Sequence, residues 1–529
     1  MGPLAGPGPP GPRGWARPGL LSVAGGLALA AAFPPLRLWP LAFVAWVPLW
    51  FGIERDQAHL PWRQAFLRGW GMGFVAYALI LHWLLALSNE EVTIPGLMYP
   101  SLALIAFYLA LFQGAAAAGA LALARGGRLP FLLLAPVTTA LAEWLRSIGP
   151  LGFPWGSPVY ALARTPVLLQ SASFLGFTGL TFLALATGAL VRRAIAGRWR
   201  CGAAAAGLTG LLILHGGLVL AHHPEGAREA DRRPVRVLVA QPNIPREIKW
   251  KPEKRQEVIE RVLAHGAEAI ATGRAAGGFD LFVWPETVFP IPIFDDLPLA
   301  TRVRAFVDTL GAPLLIGTQE TVWERQGGKP SYAAYNSAVL IHPGGACSLP
   351  YRKIALVPFS ERMPLQKIAP FLNAIDFGQS DFSAGSGPVN FRAGSEAIGT
   401  LICFESVFPP LARGAVRDGA TLLVNITNDF WFGRSAGPVQ HAEMSILRAI
   451  ENRVPLVRCA NTGISFVVDP WGRVRGATPL FEAAAFVATV EAGGGSFVTR
   501  HGDWTVALLA LAVALALAAT LRRRLGSGR

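Results

Sequence analysis

IGTLICFES, residues 398–406, is the stretch from which the fold is read. It is apolar on both faces as far as Ile402, then presents a cysteine, Cys403, with Glu405 next but one. A short run that is apolar on both sides suits a central strand covered on both faces, the arrangement of layered α/β proteins. In open α/β sheets, sites gather where strands end. Working outward, the same character recurs in VRVLVAQPNI (235–244), LFVWPE (281–286), PLLIGTQE (313–320), NSAVLI (336–341), TLLVNITND (421–429), PLVRCANTG (455–463) and AAFVATVE (484–491). Helical patterns fall between them at 252–274, 297–310 and 438–453. The expected fold is therefore an α/β sandwich. Several strands end on chemistry: Glu286 after VWP, Cys403 after LI, and Asn428-Asp429 after LVNIT. Lys353 lies in the loop-like YRKIALVPFSERMP.

Outside this region the composition changes. Of 529 residues, 52% are apolar and only 15% charged, against about 25% charged in a soluble protein. The net charge of +14 first suggests nucleic acid, but residues 223–502 carry 29 Lys+Arg against 27 Asp+Glu. The other residues carry 18 against 6. The basic excess thus lies in the apolar parts, as in a membrane protein, and no nucleic-acid partner is expected.

Runs long enough for a bilayer core of about 30 Å stand at 18–33, 36–53, 70–88, 98–124, 130–147, 167–191 and 203–222, with an eighth at 503–521. The expected organisation is a disordered cytoplasmic stretch (1–17), a seven-helix membrane domain (18–222) and an extracytoplasmic catalytic domain (223–502). An eighth transmembrane helix (503–521) and a basic cytoplasmic tail (522–529) complete it. With the N-terminus inside, the short inside segments hold fifteen arginines and the short outside loops only Arg37, Arg146 and Arg164. That asymmetry sets the orientation. The first run reads as a span, not a cleaved signal peptide, because further spans follow at once. Glu143, inside the fifth run, is expected to pair with Arg146, or else to line a polar cavity.

Four cysteines without CxxC spacing give neither a disulfide framework nor a zinc site. A cysteine nucleophile needs a base and a positive or N–H-rich oxyanion site. Glu286 and Lys353 offer these roles to Cys403. Singly, each has an ordinary structural role available: a core cysteine, a capping carboxylate, a solvated cation. Lys353 carries extra weight because the chain uses lysine only six times against 41 arginines. Its compact ammonium suits a tetrahedral intermediate. Trp284 and Pro285 are expected to wall Glu286 with apolar surface. No histidine stands in an equivalent setting; His441 falls on a helix.

VWPET around Glu286, YRKIALVPFSE around Lys353, LICFES around Cys403 and NITNDFWFG (425–433) resemble the nitrilase superfamily, whose Glu-Lys-Cys triad sits in an α-β-β-α sandwich. With the flanking spans, nearly the whole chain resembles the bacterial apolipoprotein N-acyltransferase family. The resemblance implies Cys403 as nucleophile, Glu286 as general base and Lys353 as oxyanion stabiliser with the Phe404 backbone N–H. It implies supporting roles for Glu361 and Glu405, and a substrate-side role for Trp250 on a mobile arm. It also implies a phospholipid acyl donor, a diacylglyceryl apolipoprotein acceptor and a thioester intermediate; with no Gly-rich phosphate loop or metal-ligand cluster in the sequence, no cofactor and no metal are expected. The expected location is the inner membrane, multi-pass, as a monomer, with the catalytic domain periplasmic. Phe404 stands where relatives often carry Tyr, and Ser360 where they carry Gly, which leaves a positive φ at 360 open. The aromatic stretches Phe289–Phe294, Phe359 and Phe430–Phe432 are candidates for lipid contact or for ordinary core. Two other classes share part of the pattern: a membrane-tethered amidase, and a non-catalytic sensor or transporter. Eight spans are excessive for an anchor, and a sensor needs no Glu-Lys-Cys set.

Overall fold

A computed structural model describes residues 13–86, 96–225, 234–326, 329–363 and 381–526. Among the described residues nine helices come first: α1 (Arg13–Ala32), α2 (Leu41–Val44), α3 (Val47–Asp56), α4 (Trp62–Ile80), α5 (Met98–Gly127), α6 (Phe131–Leu145), α7 (Pro166–Leu169), α8 (Ala172–Ile195) and α9 (Trp199–His222). The α/β region opens with β1 (Val235–Gln241), α10 (Arg246–Lys249), α11 (Arg255–Ala275), β2 (Leu281–Val283), α12 (Leu297–Leu310), β3 (Leu314–Gln326), β4 (Lys329–Ile341) and β5 (Tyr351–Arg352). It continues with β6 (Asn390–Ala393), β7 (Glu396–Ile402), α13 (Pro409–Arg417), β8 (Leu422–Thr427), α14 (Gly437–Asn452), β9 (Leu456–Ala460), β10 (Phe466–Val468), β11 (Val474–Arg475) and β12 (Ala484–Val490). The short α15 (Phe497–His501) and α16 (Trp504–Gly526) close the chain.

Two six-stranded sheets run β12-β1-β2-β3-β4-β5 and β11-β10-β9-β8-β7-β6. Strands β1, β2 and β3 are parallel neighbours, as are β7, β8 and β9. Helices supply the crossovers that parallel pairing requires. Alternation along each strand then decides the layers. Val237, Val239, Leu281 and Val283 face Ile402, Val424, Ile426 and Val457 between the sheets. Leu238, Phe282 and Trp284 turn outward onto Val258 and Val262 of α11 and Val303 and Val307 of α12. On the second sheet, Leu401, Leu423 and Leu456 turn onto Ala412 of α13 and Ile446 and Ile450 of α14. This is the expected α-β-β-α sandwich.

The second helical layer does not end at solvent. Its apolar cluster continues into Tyr160, Phe177 and Leu180 of the N-terminal helical part. Every residue of α14 but the half-buried Val439 is buried, including Gln440, His441, Arg448 and Glu451. Gln440 is held from the membrane side: its Oε1 accepts from Trp155 Nε1 (2.7 Å), and its Nε2 donates to the Pro34 and Ile80 carbonyls. Tyr160 donates to the Val407 carbonyl at 2.6 Å.

Among the described residues four helices, α5, α8, α9 and α16, are long and apolar enough to cross a membrane by length and composition. The apolar part of α1 (Gly19–Ala32) and α6 are shorter. The run expected at 36–53 forms no continuous helix but the short α2 and α3. Pro48, at the start of α3, has no N–H to return to the preceding turn. Of the N-terminal stretch expected to lack order, residues 1–12 lie outside the described residues and 13–17 already belong to α1. Within the glycine- and proline-rich first eighteen residues, these two residue types are densest before Arg13. At the other end, α16 carries helix through Arg522–Arg524 and into the expected tail.

Glu143 pairs with Arg146 Nη2 at 2.6 Å, both buried. The carboxylate also accepts from Gln113 (2.7 Å) and Tyr77 (3.1 Å). A buried charge is tolerable when so enclosed.

Candidate active site

Glu286, Lys353 and Cys403 come from three different strand ends and meet between the two sheets. β1 and β2 run parallel, so β2 releases its chain at the same edge as β1. Three residues later Glu286 is 5% exposed. Its Oε1 accepts from Asn336 Nδ2 (2.7 Å) and its Oε2 from the Asn428 N–H (2.8 Å). Gly317 lets β3 pass this turn: a Cβ there would stand 2.6 Å from the Glu286 Cα. Trp284 is not the expected wall. It points to the outer layer and stacks on Phe306 at 4.7 Å, because its place in the strand alternation is opposite to that of Val283.

Lys353 follows β5. Its N–H bonds the Asn336 carbonyl at 2.8 Å, extending the pairing with β4 and sending its side chain inward. Nζ is 2.8 Å from Glu361 Oε1 and 3.5 Å from Glu286 Oε1. Glu361 closes its own turn by accepting the Val357 N–H at 2.9 Å, and shares Asn336 Nδ2 with Glu286. The positive φ of this turn falls on Phe359 (66°), not on Ser360, so the serine departure costs the backbone nothing.

Cys403 leaves β7 with φ +52°, a conformation uncommon outside glycine and typical of strained functional turns. Glu405 brackets this elbow. Its Oε2 accepts from the Ile402 N–H (2.7 Å) and Tyr351 hydroxyl (2.8 Å). Its Oε1 accepts from the N–H groups of Ile354 (2.6 Å) and Ala355 (3.1 Å). One carboxylate thus ties the Lys353 loop to the Cys403 turn. Phe404 is buried and packs on Phe153 from the membrane side at 5.4 Å.

A second network lies behind the cysteine. His441 Nε2 is 3.1 Å from the Cys403 carbonyl, which can only accept, so a proton sits on Nε2. Nδ1 is 2.9 Å from Asp429 Oδ1, and Arg458 Nη2 donates to Asp429 Oδ2 at 2.7 Å. Trp155 stacks on the imidazole at 5.7 Å. Cys403, Asp429 and His441 offer donor atoms within 4.8 Å of one another. The Asp429 and His441 atoms are already engaged by Arg458, Thr427 and the Cys403 carbonyl. A metal there would have to displace those bonds.

The electrostatics are those of a closed site. Burial raises the Glu286 pKa, with Lys353 pulling the other way. Burial would lower Lys353, but Glu361 and then Glu286 outweigh it and keep it an ammonium. Burial and the Glu286 charge push the Cys403 thiol up. Burial would raise Asp429, but Arg458 and then His441 hold it well below the usual carboxylate range. Burial, then Arg458, lowers His441. A raised carboxylate is a better base, and a thiol that resists ionisation waits for a base and an oxyanion to appear together.

Trp250 caps α10 and is 39% exposed. The aromatic stretches divide. Phe289 and Phe430 are core, while Phe294 is 47% exposed. Phe432 packs on Trp83 and Trp155. Sequence reasoning missed Asn336, which lies in a strand without a motif, and the Arg458–Asp429–His441 chain. It also missed Lys249. Asp429 stood at a strand end, and that was the available signal.

Two family profiles match. One, described as apolipoprotein N-acyltransferase N-terminal domain, covers residues 25–190; the other, carbon-nitrogen hydrolase, covers 236–495. The chain is 37% identical to an apolipoprotein N-acyltransferase of Geobacter metallireducens, over 96% of this chain and 95% of that one. A Caulobacter vibrioides protein of the same name is 33% identical, over 94% and 93%. Among solved structures, a carbon-nitrogen hydrolase from Helicobacter pylori aligns with 49% of this chain and 90% of its own, at 18% identity and TM-score 0.36. A variant of a Nesterenkonia amidase of the nitrilase superfamily aligns with 48% and 90%, at 19% identity and TM-score 0.35.

Proposed function

The chain belongs to the apolipoprotein N-acyltransferase family, and from that premise we propose that it moves a fatty acyl chain from a membrane phospholipid to an apolipoprotein by way of Cys403. In the first half-reaction Glu286 takes the thiol proton as sulfur attacks the ester carbonyl. Lys353 and the Phe404 N–H hold the oxyanion. The lysophospholipid alkoxide leaves with the proton from Glu286, and a thioester remains on Cys403. In the second, the α-amino group of an N-terminal diacylglyceryl-cysteine attacks the thioester. Glu286 accepts the amine proton and returns it to the departing sulfur. One nucleophile serving two lipids in turn gives ping-pong kinetics.

The observation that carries this reading is the convergence of the three side chains, with Lys353 Nζ 3.5 Å from the buried Glu286 and Cys403 on a positive-φ elbow. Its position supports lipid substrates. The elbow packs through Phe404 on Phe153, and through His441 on Trp155, both from the membrane-side part. Such walls exclude water, the competing acceptor. Glu361 and Asn336 hold Glu286 and Lys353 in register; Glu405 fixes the loop to the elbow; Trp250 stands at the substrate side. The reaction as written needs no cofactor.

The protein is a membrane protein. The arginine asymmetry supports an inner-membrane, multi-pass arrangement with the catalytic domain on the periplasmic side. We take it to act as a monomer. The test is mass spectrometry of the intact protein after a defined phospholipid, and again after a diacylated lipopeptide. The expected result is a gain of one acyl mass on Cys403, then its loss to the peptide amine. The reading fails if no acyl mass appears at Cys403, or if Cys403→Ala still gains it.

A further inference from the structure

Lys249 is a fully buried lysine whose Nζ has no hydrogen-bond partner among the described residues. The other described buried lysine, Lys353, is held by two carboxylates. An ammonium taken out of water and left unmatched costs several kcal/mol, so a chain that uses lysine six times in 529 residues has placed one at a loss.

Its position is not remote from the chemistry. α10 follows β1, and β1 releases its chain at the same sheet edge as β2, which leads to Glu286. Nζ lies 5.3 Å from the centre of the Trp250 ring and 5.9 Å from that of Phe430. Phe430 is two residues beyond Asn428, whose N–H binds Glu286 Oε2. Nζ therefore sits by the turn that serves Oε2, whereas Lys353 serves Oε1. The two rings offer a cation a partial match. That is not enough: burial still pulls the Lys249 pKa down to about 7, with the Glu286 charge opposing.

Three N–H donors in an aromatic-walled site beside the catalytic carboxylate call for an anionic oxygen cluster. Of the two substrates, only the donor brings one. In a diacyl phospholipid the phosphorus is five bonds from the nearer ester carbonyl carbon and six from the other, close enough for one molecule to reach both groups. The diacylglyceryl acceptor carries no phosphate. Lysine binds phosphate as a point charge that needs no fixed fork. We propose that Lys249 binds the phosphodiester of the acyl donor, and so tells donor lipid from acceptor lipid in a site that both must occupy in turn. This rests on the acyl-transfer reading above.

The test uses full-length protein in detergent micelles and follows acyl-enzyme formation from two donors with the same chains: phosphatidylglycerol and the neutral diacylglycerol. The quantity read is the ratio of kcat/KM between them, in which any loss of folded protein cancels. In Lys249→Met the ratio should fall about tenfold or more, the worth of a hydrogen bond to a charged group, through KM for the phospholipid. Lys249→Arg should recover part of it. An unchanged ratio in Lys249→Met overturns the assignment. So does a selective loss of the second half-reaction, which would make Lys249 a base for the incoming amine. If wild-type protein forms no acyl-enzyme from either lipid, the acyl-transfer reading itself fails. If it acylates while the variant treats both donors as wild type does, only the phosphate assignment fails.

Discussion

Glu405→Gln tests how Lys353 is held over Cys403. The carboxylate accepts four bonds: two at Oε1 from Ile354 and Ala355, two at Oε2 from Ile402 and Tyr351. An amide has one accepting oxygen. Its cheaper orientation keeps oxygen toward Ile354 and Ala355 and puts NH2 toward Tyr351, whose hydroxyl can turn and accept. The Ile402 N–H is then buried without a partner, at about 1–3 kcal/mol. The two retained bonds fall from charge-assisted to neutral strength, about 1 kcal/mol each. The sum is about 3–5 kcal/mol, released when the 351–355 loop parts from the elbow. Since that parting carries Lys353 away from the oxyanion, acyl-enzyme formation should slow about a hundredfold or more, at 1.36 kcal/mol per factor of ten. Iodoacetamide should still alkylate Cys403, because the thiol remains. The assay is the rate of acyl mass gain beside the rate of alkylation. Acylation at the wild-type rate would refute the bracket; loss of both reactions would point to general unfolding.

Four further outcomes are expected. Glu286→Gln should slow acyl-enzyme formation by about 10² to 10⁴, the usual worth of a general base; a normal rate moves the base elsewhere. Because Glu286 must be ionised to act and burial raises its pKa, acylation should fall with decreasing pH along a limb lying above the ordinary glutamate value of 4.5. A limb at or below 4.5 in the pH–rate profile contradicts this. His441→Ala removes one of three donors to the Cys403 carbonyl, beside Ser406 Oγ and Asn425 Nδ2, and should lower the acylation rate about tenfold, with His441→Gln milder; equal rates in both variants and wild type would make the contact idle. A reporter fused near residue 240 should be active only outside the cytoplasm, and activity inside reverses the proposed orientation.

The strands that carry Glu286 and Cys403 were legible because a buried parallel strand is a continuous apolar run whose end is plain. β5, β6, β10 and β11 were not, since two to four residues give no period and take their structure from a neighbour far along the chain. The three side chains of the proposed triad were legible through their motifs, but what holds them together was not. Asn336 bonds Glu286 fifty residues away, and Arg458 reaches Asp429 across 29; no local pattern marks such pairs. Trp284 misled because a strand turns each residue to the opposite face, and the neighbour of a catalytic residue is often on the wrong one. Proline decided the broken 36–53 run, which hydropathy alone cannot see.

Helix α14 has no face of its own in water. One side belongs to a sheet and the other to helices that begin hundreds of residues earlier. Cutting the chain near 223 to obtain a convenient soluble enzyme would therefore strip a wall from the very layer that steadies the nucleophile. The freed piece would carry a raw apolar flank and clump. Nor can this half swing away to fetch a substrate and return while α14 keeps both of its neighbours.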